Sequence, residues 1–177
     1  MAKKESFFIR GTTTTGAADT FVQSTIDLSA YVSALGKSIV RIKSIEGEWA
    51  QGPNSSNIPN GAPTMGSDKA GYAIWQLTTQ SNAGLVSLDD RTTIGKGALF
   101  ARNPDSATNP PTQVYSDSHL PQHYSDGFLV AVEDIYLGVQ RGNEWTAGDE
   151  LTFNIVLECE VLTMTQSAAM ALSLSQQ

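Results

Sequence analysis

His119 and His123 stand four residues apart in the segment HLPQH. On a helix this spacing would turn both imidazoles toward one metal ion, and Asp117 and Asp126 lie near enough in the chain to complete a ligand set. Pro121 sits between the two histidines, however, and the surrounding sequence is not helical in character. The pair therefore reads as exposed loop histidines. The acidic neighbours Asp89/Asp90 and Glu133/Asp134 fail as catalytic carboxylates for another reason. Successive side chains of a strand point to opposite faces, so one member of each pair turns away from any shared substrate. Glu158 and Glu160 do share a face, with Cβ atoms about 7 Å apart. That separation suits catalysis or cation binding, but the expected role is a solvated outer face or a charged contact between subunits.

The remaining reactive types are equally sparse. GKG at 95–97 is too short to cradle phosphates, and neither GxxxxGK[ST] nor G-x-S-x-G occurs. Cys159 is the single cysteine, so it has no internal disulfide partner; within FNIVLECEVL it reads as a small buried hydrophobe. Trp49, Trp75 and Trp145 could line a sugar-binding groove, but packing in the core or at its rim is the expectation. Arg41 and Lys43 share a strand face and could touch nucleic acid, though two charges give only a small phosphate-neutralisation effect. Asn54-Ser55-Ser56 satisfies the N-glycosylation pattern as a chance match. The sequence thus predicts no enzyme, no cofactor and no metal.

Composition sets the scene for these residues. The chain of 177 residues and 18.9 kDa is long enough for one domain with a real core. Charged residues make up 16%, against about 25% in an ordinary domain, and Ser, Thr, Asn, Gln and Gly make up the balance. Uncharged polar groups cost less to desolvate than ions, which suits flanks covered by neighbours. The net charge of -7 and pI near 4.7 argue against tight, indiscriminate nucleic-acid binding. Lys3, Lys4 and Arg10 fall short of a polybasic arm. No apolar run approaches the roughly 20 residues that span a bilayer, and MAKKESFF shows no secretory leader.

The elements that would position any site are strands. Residues 6–11 (SFFIRG) and 20–26 are candidates, with TTTTGAAD as a flexible or extended link. In DLSAYVSALG, Asp27 can cap a short helix whose face carries Leu28, Tyr31 and Leu35, with Gly36 as its stop. Residues 37–49 (KSIVRIKSIEGEW) form the first strong strand: Val40 and Ile42 point one way, Ile39, Arg41, Lys43 and Ile45 the other, with a bulge near Gly47. Residues 71–79 (GYAIWQLTT) alternate, 83–88 are a weaker strand, and 92–100 form an edge strand interrupted by Gly95 and Gly97. Two long Pro/Gly-rich loops are expected at 51–66 and 101–126. Residues 127–139 (GFLVAVEDIYLGV) and 150–164 (ELTFNIVLECEVLTM) are two long strands expected to pair across QRGNEWTAGD. No helix of 10 to 15 residues separates these strands, so a parallel βαβ arrangement is excluded and an antiparallel β-sandwich or closed barrel of about eight strands follows.

Residues 1–165 are expected to form this one domain, and 166–177 a C-terminal arm or final strand. In TQSAAMALSLSQQ, Met170, Leu172 and Leu174 alternate with small residues, an unusual pattern for a frayed end. A strand added to a neighbouring sheet would use these three side chains for assembly. A short helix through 168–174 is the competing reading.

The block KSIVRIKSIEGEW, the two Pro/Gly loops and the closing pair GFLVAVEDIYLGV and ELTFNIVLECEVLTM together resemble the single jelly-roll coat protein of an icosahedral virus. The resemblance covers most of residues 6–164 and is architectural. It implies a jelly-roll-like all-β sandwich that tiles a capsid with identical subunits in a large symmetric assembly, with or without a second capsid protein. It also implies a place in the virion after synthesis in the host cytoplasm. The chain departs from many small RNA-virus coats in lacking a long Arg/Lys-rich N-terminal arm. A shell over an internal membrane, or a DNA virus with a separately compacted genome, fits that departure better. The alternative is a β-sandwich module that binds carbohydrate or protein.

Overall fold

A computed structural model describes residues 5–33, 37–51, 68–103, 112–145 and 150–176. Among them run nine strands: β1 (Phe7–Thr14), β2 (Val22–Asp27), β3 (Ser38–Gln51), β4 (Lys69–Thr78), β5 (Thr93–Asn103), β6 (Thr112–His119), β7 (Phe128–Val130), β8 (Asp134–Arg141) and β9 (Leu151–Thr163). A 3-10 turn (Pro121–His123) precedes β7, and helix α1 (Gln166–Ser175) follows β9. One sheet has the order β1-β9-β3-β7 and the other β2-β8-β4-β5-β6.

The pairing explains how one chain makes both layers. β1 pairs antiparallel with β9, β2 with β8, β3 with β7 and β4 with β5. These are the four rungs of a single long hairpin, folded at the turn between β4 and β5 and then wound so that successive rungs fall in alternate sheets. This winding is the jelly roll. β6 is an addition, attached to the outer side of β5.

Period-two burial on β9 fixes its orientation. Phe153, Ile155, Leu157 and Cys159 are buried and meet Trp75, Leu77, Leu137 and Val139 from the opposite sheet. Fully burying each large apolar side chain contributes about 1.5–3 kcal/mol. Phe153 stacks on Trp75 with ring centroids 4.8 Å apart and leans on Trp49 at 5.0 Å. Gly47 lies on β3 opposite Ile155, diagonal to Phe153, where a Cβ would come within 2.4 Å of the Phe153 ring. The expected bulge at Gly47 lies instead at Lys43, which is left without a partner between Ile42 and Ser44. The extra residue shifts the phase, so Ile45 turns inward with Val40 and Ile42 rather than outward with Ile39.

Several other expectations change. The helix expected at 27–36 is, over its described residues, a single turn: Asp27 Oδ1 accepts from the Ser29 N–H at 2.7 Å and Leu28 O from Val32 N–H at 2.9 Å. Residues 83–88 form no strand, because their backbone bonds to side chains. Val86 N–H donates to Gln76 Oε1, Gly84 O accepts from Gln76 Nε2, and Val86 O accepts from Lys96. β5 is interior rather than an edge, since β6 forms inside the segment expected to be loop. The stretch 127–139 divides into β7 and β8 as the chain crosses between sheets, and so β8 and β9 do not pair with each other. Gly127 makes the tight entry to β7: its φ is +64° and a Cβ there would lie 2.3 Å from Ile42 O. The first long loop (51–66) falls almost wholly outside the described residues.

The tail is a helix, not a final strand. Thr165 Oγ1 caps it by accepting from Ala168 N–H at 3.3 Å. Ala169 and Ser173, four apart, face the sheet and let the helix lie close. Ala169 packs with Ile39 and Ala131, flanked by Leu129, Leu162, Met164 and Leu172. The alternation of Met170, Leu172 and Leu174 thus splits on helical geometry: Leu172 turns inward, while Met170 and Leu174 share the outer face.

Candidate assembly surface

A two-sheet sandwich has four strand edges, and each presents unpaired N–H and C=O groups that must be capped, hidden or used. In this chain they are treated differently. β7 covers β3 only from Val40 to Ile42. Beyond it, the Gln122 amide takes over: Ile45 N–H donates to Gln122 Oε1 at 3.0 Å, and Gln122 Nε2 donates to Ile45 O at 2.9 Å. Gln176 does the same for β7, accepting from Ala131 N–H at 2.9 Å and donating to Leu129 O. Two glutamines, one from a 3-10 turn and one from the end of α1, thereby finish this margin.

On the opposite side, β1 and β2 lean together. Ser24 Oγ lies 3.1 Å from Thr12 O, Thr13 Oγ1 lies 3.1 Å from Leu137 O, and the two hydroxyls touch each other, so their two protons are shared among these three contacts. A shallow groove of about 680 Å³ runs there, lined in part by Ile9, Gly11, Ile26 and Asp27. β6 closes the larger sheet, and no strand among the described residues pairs with its outer side.

Large apolar side chains are exposed near two of these features. Phe100 is 51% and Val114 54% exposed; they are register partners on β5 and β6, and Tyr72 on β4 pairs with Phe100 from the other side. The row Tyr72–Phe100–Val114 crosses the outer face of the sheet and ends at β6, its last strand among the described residues. On α1, Leu174 is 69% and Met170 45% exposed. Phe8, on the other sheet, is 60% exposed.

The residues singled out for chemistry are dispersed. Glu160 forms an ion pair with Arg41 at 2.9 Å and Glu158 with Lys43 at 2.9 Å. The Lys43 hydrogen bond holds the Glu158 carboxyl below the usual carboxylate range, and the same bond raises Lys43. Arg41 and Lys43 are thus engaged with carboxylates on their own sheet. His119 stands at the end of β6, with Nδ1 3.1 Å from the Tyr124 hydroxyl; burial, then the charge of His123, lowers its pKa. His123 lies in the 3-10 turn, and no group of three His, Cys, Asp or Glu among the described residues is placed to hold a metal. Cys159 is buried, and desolvation pushes its thiol up to about 12. All three tryptophans are buried, and Trp145 Nε1 donates to Tyr72 O at 2.9 Å. Asp90 closes its turn by accepting from both the N–H and the hydroxyl of Thr92. No helix is long and apolar enough to cross a membrane among the described residues.

Sequence reasoning missed Gln122 and Gln176, because an amide that mimics a strand residue leaves no periodic signal. It missed Phe100 and Val114 as a pair because β6 (TQVYSDSH) is too polar to read as a strand.

No family model and no curated protein matches the sequence. Among solved structures, the chain is similar to VP1 of trichodysplasia spinulosa-associated polyomavirus. In the complex of that VP1 with GM1 oligosaccharide the identity is 10% and the TM-score 0.42, over 93% of this chain and 96% of that one. The complex with sialylated precision glycooligomers gives 9% and 0.40, over 90% and 95%. The complex with 3'-sialyllactose gives 10% and 0.38, over 89% and 95%. The jelly-roll assignment rests on the strand pairing of this chain itself.

Proposed function

We propose that this chain is a structural virion protein, a capsid subunit that assembles with identical copies into a large symmetric shell, with or without a second capsid protein. One observation carries the reading. The β3/β7 margin is closed by two glutamine amides, while Phe100, Val114, Met170 and Leu174 stand exposed beside β6 and on α1. Large apolar groups left outside a domain whose other edges are finished are surfaces for a partner. Met170 and Leu174 are the tail residues proposed to touch neighbours; Leu172 supports them from below. Many weak copies of one contact suffice when symmetry closes the object. The role is structural rather than enzymatic, and the site of action is the virion.

The alternative, a carbohydrate-binding module, would stack sugars on exposed indoles, and Trp49, Trp75 and Trp145 are all buried. Sedimentation velocity over a wide concentration range separates the two readings. A shell subunit forms discrete large species, and the Met170→Ser/Leu174→Ser double variant needs more protein to do so. A binding module remains a monomer at every concentration.

A further inference from the structure

We propose that β6 pairs antiparallel with β6 of a second copy about a two-fold axis, joining the two larger sheets into one continuous sheet. This deepens the assembly reading by naming one of its contacts, and it rests on that reading. β6 is the last strand of its sheet among the described residues, so its outward N–H and C=O groups form a row that another strand can complete. Of the four margins it is the one for which the described residues supply no cap: glutamines finish β3 and β7, and β1 and β2 bond across their gap.

Side chains select the partner and the register. Among the described residues the exposed row Tyr72–Phe100–Val114 ends at β6. A two-fold through Val114 sets it against its own symmetry mate and continues the row as Phe100 and Tyr72 of the second copy. An isologous contact of this kind needs no second surface. In the same register the backbone of residue 112 pairs with that of 116 and 113 with 115, and none of these four positions is a charged residue type. That matters for a chain of net charge -7, whose copies otherwise repel.

The test uses the full chain with Val114→Cys under mild oxidation, and Phe8→Cys as a control of similar exposure on the other sheet. Directly opposed residues of an antiparallel pair lie about 4.5–5.5 Å apart at Cα, within disulfide reach. Buried Cys159 does not compete. The expected result is a covalent dimer formed at least tenfold faster by Val114→Cys than by Phe8→Cys. Amide exchange of the unmodified protein provides a second readout: residues 112–117 gain protection as concentration rises. Equal cross-linking rates, or exchange independent of concentration, overturn the pairing. Regular particles in which Val114→Cys cross-links no faster than Phe8→Cys overturn it while leaving the shell reading intact. A cross-linked dimer that never yields larger species supports the pairing and removes the shell.

Discussion

Gln122 and Ile45 form a closed ring of two hydrogen bonds, with the side-chain amide of one acting as a strand residue toward the backbone of the other. The ring continues the β3 edge after β7 has ended. Replacing Gln122 by Ala leaves both Ile45 groups without this partner in a partly buried position. The expected loss is about 1–3 kcal/mol of unfolding free energy, measured by urea denaturation. A Gln122→Glu variant separates the two bonds, since it keeps the acceptor and loses the donor. An unchanged midpoint in Gln122→Ala would mean that the edge needs no cap.

The Gly47 position tests the core. A methyl group there meets the Phe153 ring, which is itself held between Trp49 and Trp75. Because the ring has no free side to move toward, Gly47→Ala is expected to cost about 1–3 kcal/mol through overpacking. Pairing it with Phe153→Leu should recover part of that loss. Thermal denaturation of the two single variants and the double variant checks the coupling.

Asp90 gives the pH dependence a definite sign. Its hydrogen bonds to Thr92 hold the folded carboxyl below its unfolded value. The stabilisation is therefore complete above the unfolded pKa and disappears as pH falls through the folded one. Asn at this position keeps the Oδ1 acceptor and cannot titrate. Asp90→Asn is expected to flatten the acid limb of the stability curve below about pH 4, leaving stability near neutrality less affected. Stability that falls equally steeply with acid in both proteins would rule out this carboxyl as a contributor.

Helix α1 has two faces with two jobs, and substitutions should divide them. Leu172→Ala removes packing against the Ile39/Ala131/Ala169 cluster. It is expected to lower stability by about 1–2 kcal/mol, below the usual core range because the side chain is only partly buried. Deleting residues 166–177 should cost more, since Gln176 goes as well. Met170→Ser and Leu174→Ser lie on the exposed face, where stability changes stay within about 0.5 kcal/mol, and their effect should appear in assembly. Differential scanning calorimetry alongside light scattering reads both quantities.

What the sequence disclosed, and what it hid, follows from where information is stored. The inner faces of β3, β4 and β9 were legible because half-buried strands repeat apolar residues every second position, as in Phe153, Ile155, Leu157 and Cys159. The antiparallel sandwich-or-barrel class followed from those strands and the lack of helical spacers, and the jelly roll from the resemblance to viral coat proteins. Register was not legible: the bulge at Lys43 carries no Gly or Pro to mark it, yet it reversed the direction of Ile45. Nor was the division of 127–139 into β7 and β8, because an apolar stretch reads alike whether it continues or crosses to the other layer. β6 escaped because an outer strand need not be apolar. The tail misled because a period-two pattern in Met170, Leu172 and Leu174 is also compatible with two faces of a short helix, and the Thr165 cap decides for the helix.

Assembly is the central claim, and electron microscopy of the purified chain in negative stain tests it most directly. Uniform closed particles, or regular sheets of one lattice, formed without any other protein are the predicted result. A field of isolated single-domain molecules at every protein concentration, salt level and pH tried, with light scattering reporting only monomer, would contradict it.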